Sequence, residues 1–197
     1  MIEPKIKLFV GTSHPELAAA ISKLLKVPLT PIDLRRFASN EIYAKPSETV
    51  RNADVYVIQT GTQNVNEDLM ELFIMLDSFK RSFAWKVHVV MPYFPYARQD
   101  RVAEAREPIS AKLMADLVSK AGADHVITFT LHSDQEQGFF DFPVDNLTAR
   151  RLFADYFKKK NLKDLTVVSP DVGSAKEAQR LAKLLNADLA ILNKMRS

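Results

Sequence analysis

Short apolar runs alternate with longer amphipathic stretches along the chain, the pattern of a mainly parallel sheet covered by helices. Ile6 to Val10, Val55 to Gln59, Val87 to Met91, Val126 to Leu131, Leu165 to Ser169 and Leu189 to Leu192 read as strands. Each is short, rich in Val and Ile, and apolar on both faces, as buried parallel strands are. Pro15 to Leu25, Glu67 to Phe79, Ile109 to Ala121, Ala149 to Lys158 and Ser174 to Leu185 read as helices. In the third of these, Ile109, Leu113, Met114, Leu117, Val118 and Ala121 share one helical face, and Gly122 suits a left-handed C-terminal cap. Asn66, Glu67 and Asp68 suit the opening of the second helix, as a cap followed by first-turn acids.

One seam is visible. The segment Pro143 to Leu147 carries a proline and turn formers ahead of a new helix, so a first domain is expected over residues 1–147. The remaining residues, 148–197, supply a helix, a strand, a helix and a strand. Two strands bury little and leave an edge open, so this part either pairs elsewhere or belongs to an incomplete domain.

Composition narrows the class. The 197 residues are 47% hydrophobic, which excludes a wholly disordered chain. A net charge of +3 falls short of a nucleic-acid footprint, even with a pI near 9.0. The one dense basic cluster, Lys158 to Lys160, reads as a solvated helix end. Without cysteine there is no disulfide framework and no thiolate metal site, which is compatible with a reducing compartment. The N-terminal run does not read as a signal peptide, and no apolar run reaches the roughly 18 residues of a membrane span. A cytoplasmic protein without membrane or nucleic-acid partners is the expectation.

Ligands of open α/β sheets sit outside the carboxyl ends of the strands, so polar residues just past each strand carry the chemistry. Arg98, Gln99, Asp100 and Arg101 follow the third predicted strand, and His132 follows the fourth. Asp171 follows the fifth, and Lys194 and Arg196 follow the sixth. Each has an ordinary reading by itself: a surface ion pair, a hydrogen-bonded bystander, a helix N-cap. Sharing one rim, this mix of cations and carboxylates suits a magnesium-bound polyphosphate better than an apolar or acyl ligand. Magnesium prefers oxygen, so His132 would reach it through water or would touch a phosphate instead. Asp141 and Asp145 flank Phe142, Pro143 and Val144 in a way that would set two carboxylates beside His132.

Other cradles are excluded. No GxxxxGK[ST] occurs, the five glycines form no GxGxxG, and neither GxSxG nor HExxH is present. Phe37 stands outside any apolar period in RRFASNE. It either caps the core or stacks on a base, and the residue type slightly favours the core.

At these same residues the chain resembles the phosphoribosyl pyrophosphate synthetases (ribose-phosphate diphosphokinases). The likeness runs through PELAAAI, DLMELFIMLDSFKR, MPYFPYARQDR, PISAKLMADLVSKAGADHVIT, LHSDQEQGFFDFPVDNL, VVSPDVG and LNKMR, essentially the whole chain. It implies a parallel-sheet α/β, phosphoribosyltransferase-like fold, with a complete N-terminal domain at 1–147 and the first part of a second, similar domain at 148–197. It also implies transfer of diphosphate from ATP to the 1-hydroxyl of ribose 5-phosphate, with Mg2+, giving phosphoribosyl pyrophosphate and AMP for nucleotide biosynthesis.

The resemblance sets adenine between Phe37 and Arg98, with Gln99 nearby, Glu41 at the purine edge, and Ser39 and Asn40 in the same loop. That loop comes from a neighbouring subunit in the family, which implies a homo-oligomer, a dimer or hexamer. His132 matches a position associated with both ATP and metal. Asp171, Asp141 and Asp145 belong to the metal signature, and Lys194 and Arg196 match a cationic pair on a catalytic loop.

Four departures follow. Ser39 and Asn40 replace the usual acidic or Asn residue and its neighbour. Thr130 stands where an Asp is usual and Glu136 where Ile or Met is usual, so that Glu136 would restore the charge lost at Thr130. Gly173 and Ser174 replace paired glycines. The family's DDxxxTxGT loop for the ribose phosphate has no counterpart before Ser197. The expectation is therefore a C-terminally truncated member that does not hold ribose 5-phosphate in the family's way. The alternative is a non-catalytic nucleotide-binding or regulatory subunit of a complete synthetase.

Overall fold

A computed structural model describes residues 4–193. They divide into two compact units, Met1–Leu147 and Thr148–Ser197. The first is built on a five-stranded, wholly parallel sheet in the order β1 (Ile6–Val10), β4 (Asp54–Ile58), β5 (Lys86–Val90), β6 (His125–Phe129) and β7 (Val144–Leu147). One face of the sheet, carrying Phe9, Val55, Val57, Val87, Val89 and Val126, packs against α2 (Val65–Arg81) and α3 (Ser110–Ala121). Leu69, Leu72, Met75, Leu76 and Phe79 of α2 recur at helical spacing and are buried there, so the apolar period that announces the helix is also what docks it. On the other face, α1 (Pro15–Leu25) covers Leu8 and Ile58 with Ala18.

Two strands escape the apolar-run signal. β2 (Ile32–Arg36) and β3 (Ile42–Pro46) form an antiparallel hairpin outside the main sheet. Only one face is buried: Ile32, Leu34 and Ala44 lean on the core while Asp33, Arg35 and Lys45 face outward, so no continuous run marks it. β7 occupies the Pro143–Leu147 seam. Pro143 precedes the first paired residue of that strand, so its missing N–H costs no ladder bond. Helix α2 begins one residue before the expected cap. Its N-cap is Asn64, whose side chain makes no capping bond, and Asp68 instead accepts from Thr62 N and Oγ1, both at 2.7 Å.

The carboxyl ends of β1 and β4 are locked by a buried polar network. Gln59 Nε2 donates to Glu71 Oε1 at 2.9 Å and to the Asp68 carbonyl at 3.1 Å, while Gln59 Oε1 accepts from Ser13 Oγ at 2.8 Å. Glu71 also accepts from Thr12 N at 2.6 Å and from Thr12 Oγ1. Gly11 lies against this network with no room for a side chain.

A second polar row crosses β4 to β7. His88 stacks on Tyr56 at 4.3 Å, its Nδ1 lies 3.1 Å from His125 Nδ1, and His125 Nε2 lies 3.3 Å from Asp145 Oδ2. Burial, and then the neighbouring His125, hold His88 below the ordinary imidazole range; Lys86 acts the same way, against Asp54 and Asp124. The unfolded chain therefore takes up a proton near pH 6.5 that the folded chain resists, so stability present above that pH is lost as pH falls through it. The melting temperature should drop between about pH 7.5 and 5.5, and His88→Phe should flatten that drop; an unchanged pH slope in the variant would refute the assignment.

The second unit holds α4 (Arg150–Lys159), β8 (Thr166–Ser169), α5 (Ala175–Leu185) and β9 (Asp188–Ile191), with β8 and β9 parallel. Arg150 ties α4 to α5 through Glu177 at 2.6 Å. Among the described residues, no helix is long and apolar enough to cross a membrane.

Candidate functional site

The segment after β5 is bent by its own aromatics. Phe94 and Ala97 turn into the core, Tyr96 takes a left-handed φ of 62° and donates from its hydroxyl to Asn66 Oδ1 at 2.5 Å, and Tyr93 N donates to Thr60 Oγ1 at 2.9 Å. Gln99 is fixed through its backbone: its N–H donates to the Tyr96 carbonyl at 3.0 Å, and its carbonyl accepts from Ala111 N at 3.2 Å. With these neighbours anchored, Arg98 and Gln99 face solvent.

Across from them, the segment after β6 brings His132 to the same place. Arg98, Gln99, Asp100, Arg101, Glu107 and His132 line one cleft of about 410 Å³. Arg98 and His132 also line a narrower cavity of about 110 Å³ with Phe94 and Thr130. Glu107 carries no sequence signal as a site residue; its Oε2 accepts from Ala103 N and Glu104 N, both at 2.9 Å, and so shapes the loop that walls the cleft. The cleft combines two guanidinium groups and an imidazole with two carboxylates, a set able to meet phosphate oxygens and a hard cation together.

The segment behind His132 carries two costly features. Thr130 is β-branched yet has φ 50°, a strained conformation. Glu136 has 0% exposure: Oε1 accepts from Ser133 N at 2.7 Å, while Oε2 has no hydrogen-bond partner. Burial is the largest influence on Glu136 and pushes its carboxyl above the usual range, with Asp100 acting the same way against Ser133 and His132. The expected charge replacement for Thr130 is therefore corrected, because burial disfavours the anion at Glu136.

The remaining candidates are dispersed. Phe37 is 51% exposed and packs edge-on against Tyr43 at 5.7 Å, so the core reading is corrected. It begins a tight turn in which Phe37 N donates to the Glu41 carbonyl, Asn40 has φ 69°, and Ser39 Oγ donates to Glu41 Oε2 at 2.5 Å. The Arg98 cleft is lined without Phe37, Ser39, Asn40 or Glu41. Asp141 is exposed in the loop before β7. Asp145 faces His125 on the sheet, paired opposite Ile127 in the strand ladder, and so is not beside His132; its place in a regular strand, unseen in the sequence, explains the correction.

In the second unit, Asp171 Oδ1 accepts from Ser174 N at 2.8 Å just before α5. Lys194 and Arg196 lie outside the described residues. Among the described residues, no group of three His, Asp or Glu side chains stands ready to hold a metal by itself.

Comparison with known proteins places these features in context. Residues 6–122, more than half of the chain, match the model of the N-terminal domain of ribose phosphate pyrophosphokinase. A curated ribose-phosphate pyrophosphokinase of Clostridium perfringens is 49% identical over 194 residues, covering 97% of this chain and 61% of the relative. One of Bacillus caldolyticus is 47% identical over 98% of this chain and 61% of the relative. The crystal structure of phosphoribosylpyrophosphate synthetase from Mycobacterium smegmatis superposes with a TM-score of 0.93 at 43% identity, covering 98% of this chain and 65% of that one. The chain thus spans about six tenths of the length of the curated relatives it matches.

Proposed function

The chain belongs to the ribose-phosphate pyrophosphokinase family, and from that premise we propose that its cleft binds the nucleotide of a ribose-phosphate diphosphokinase reaction. In that reaction the 1-hydroxyl oxygen of ribose 5-phosphate bonds to the β-phosphorus of ATP. The bond from that phosphorus to the α-bridging oxygen breaks, AMP departs, and the hydroxyl proton is released. Such a transfer asks the protein for alignment and charge neutralisation rather than a covalent intermediate. The observation that carries the reading is the meeting of Arg98, Gln99, Arg101 and His132 around one cleft at the carboxyl edge of a parallel sheet.

Arg98 and Gln99 hold the base and sugar end, and Arg101 and His132 face the phosphates. Mg2+ carried on those phosphates would neutralise their oxygens, with His132 acting through water and Asp100, which lines the same cleft, as a carboxylate donor. Phe37, presented on an exposed hairpin with Ser39, Asn40 and Glu41, completes the adenine site of a neighbouring copy, which makes the working form a homo-oligomer. Lys194 and Arg196, outside the described residues, are the cationic pair of the transfer step in this reading. Lys194→Ala should accordingly slow turnover far more than it weakens ATP binding; equal losses in both would contradict that role.

The deciding experiment supplies the purified chain with ATP, Mg2+ and ribose 5-phosphate and follows AMP. Sugar-dependent AMP release would establish turnover and overturn the expectation that this chain does not hold ribose 5-phosphate in the family's way. A second reading, a nucleotide-binding subunit without turnover, is favoured by Thr130 and the buried Glu136, which add no exposed anion beside His132. Nucleotide binding without AMP would establish it, and absence of both would overturn each reading.

A further inference from the structure

His132 is held from both sides by side chains that grip the neighbouring backbone. On one side, Leu131 N donates to Asn146 Oδ1 at 3.1 Å; on the other, Ser133 N donates to Glu136 Oε1 at 2.7 Å. The strand ladder stops helping just before this point: Phe129 N reaches the Pro92 carbonyl and Thr130 N the Leu147 carbonyl, but from Leu131 onward the backbone leaves the sheet. Beyond Ser133 the chain enters a 3-10 helix, Asp134–Phe139, whose third residue is Glu136. Ser133 and Glu136 form a reciprocal capping box, so the Glu136 carboxyl is placed by the helix it opens.

We propose that Asn146 and Glu136 are positioning residues that fix the backbone of His132 so that its exposed side chain points into the cleft. Asn146 acts from β7 and Glu136 from the 3-10 helix, so the two grips come from separate elements and hold the loop as a bracket. Glu136 is poorly suited to stabilise the fold, since it places one carboxylate oxygen in the interior without a partner. What it supplies there is Oε1, the acceptor that holds Ser133 N. The inference rests on the nucleotide reading of the His132 cleft, and its test separates the two.

Four variants of the full chain decide it. Glu136→Gln and Asn146→Asp keep the acceptor oxygen; Glu136→Met and Asn146→Leu remove it at similar volume. Amide exchange at Leu131 and Ser133, followed by NMR, should be protected in the wild type and in the acceptor-keeping variants. It should speed up at least about tenfold at Ser133 in Glu136→Met and at Leu131 in Asn146→Leu. Titration with the non-hydrolysable analogue AMP-PCP and Mg2+ should show affinity within about twofold of wild type for the first pair and about tenfold weaker for the second.

The melting temperature of Glu136→Met should hold or rise, which a purely structural role would not allow. Wild-type affinity in Glu136→Met and Asn146→Leu, or unprotected amides in the wild type, would overturn the proposal. A wild-type chain that binds no analogue would defeat the nucleotide reading, while the exchange rates would still decide whether the bracket exists.

Discussion

Gly11→Ala is expected to destabilise the first unit by about 2–4 kcal/mol, read as a lowered denaturation midpoint. A Cβ at this position would sit 2.2 Å from Gln59 Oε1 and 2.6 Å from both Gln59 Cδ and Glu71 Oε1. Those atoms are side-chain ends, but they are not free to swing. Gln59 has 0% exposure and is bonded at both ends of its amide, to Ser13 on one side and to Asp68 and Glu71 on the other. Moving it would leave buried donors and acceptors unmatched at the tips of β1 and β4. A midpoint within experimental error of the wild type would show that the network yields more readily than its bonding suggests.

Arg98→Ala is expected to weaken Mg·ATP binding about 10- to 100-fold with little change in melting temperature. The residue is exposed, so the fold loses little, while a charge-assisted contact to a bound nucleotide is worth about 1.5–3 kcal/mol. Arg98→Lys should recover only part of the loss, since an ammonium lacks the planar guanidinium that stacks on an aromatic base. Calorimetric titration of the three proteins with AMP-PCP and Mg2+ checks this. Equal affinities would remove Arg98 from the nucleotide site.

Much of the first unit is readable from spacing. Buried strands such as Val87 to Met91 are apolar on both faces, so they stand out in any window, and the helices between them repeat every three to four residues. The hairpin β2–β3 is less visible because one of its faces is wet, leaving an alternation that the charged Asp33, Arg35 and Arg36 obscure. β7 escapes for a different reason: four residues after a proline look like a turn, and only the pairing with β6 makes them a strand.

At the site, Arg98, Gln99 and His132 are legible because strand ends locate loops. Glu107, Asn146 and the tyrosine of the Tyr96–Asn66 bond are not, since their roles depend on which backbone amide or side chain lies within reach. Asp145 shows the reverse error, a carboxylate near His132 in sequence that the sheet turns toward His125.

The strand order of the main sheet bears on how the chain is assembled. From β4 to β7 each strand lies beside the next one made, so that part grows by adding adjacent pieces with small loop-closure costs. β1 is different. Ile6 meets Asp54 only after α1 and the whole hairpin have been looped out, so β1 must wait for all of that chain before it gains its neighbour. Until then, one edge of β1 is bare and the other is met only by the short bridge of Leu8 to Leu29, and this interval is when the newborn chain is most exposed to mispairing with another copy of itself.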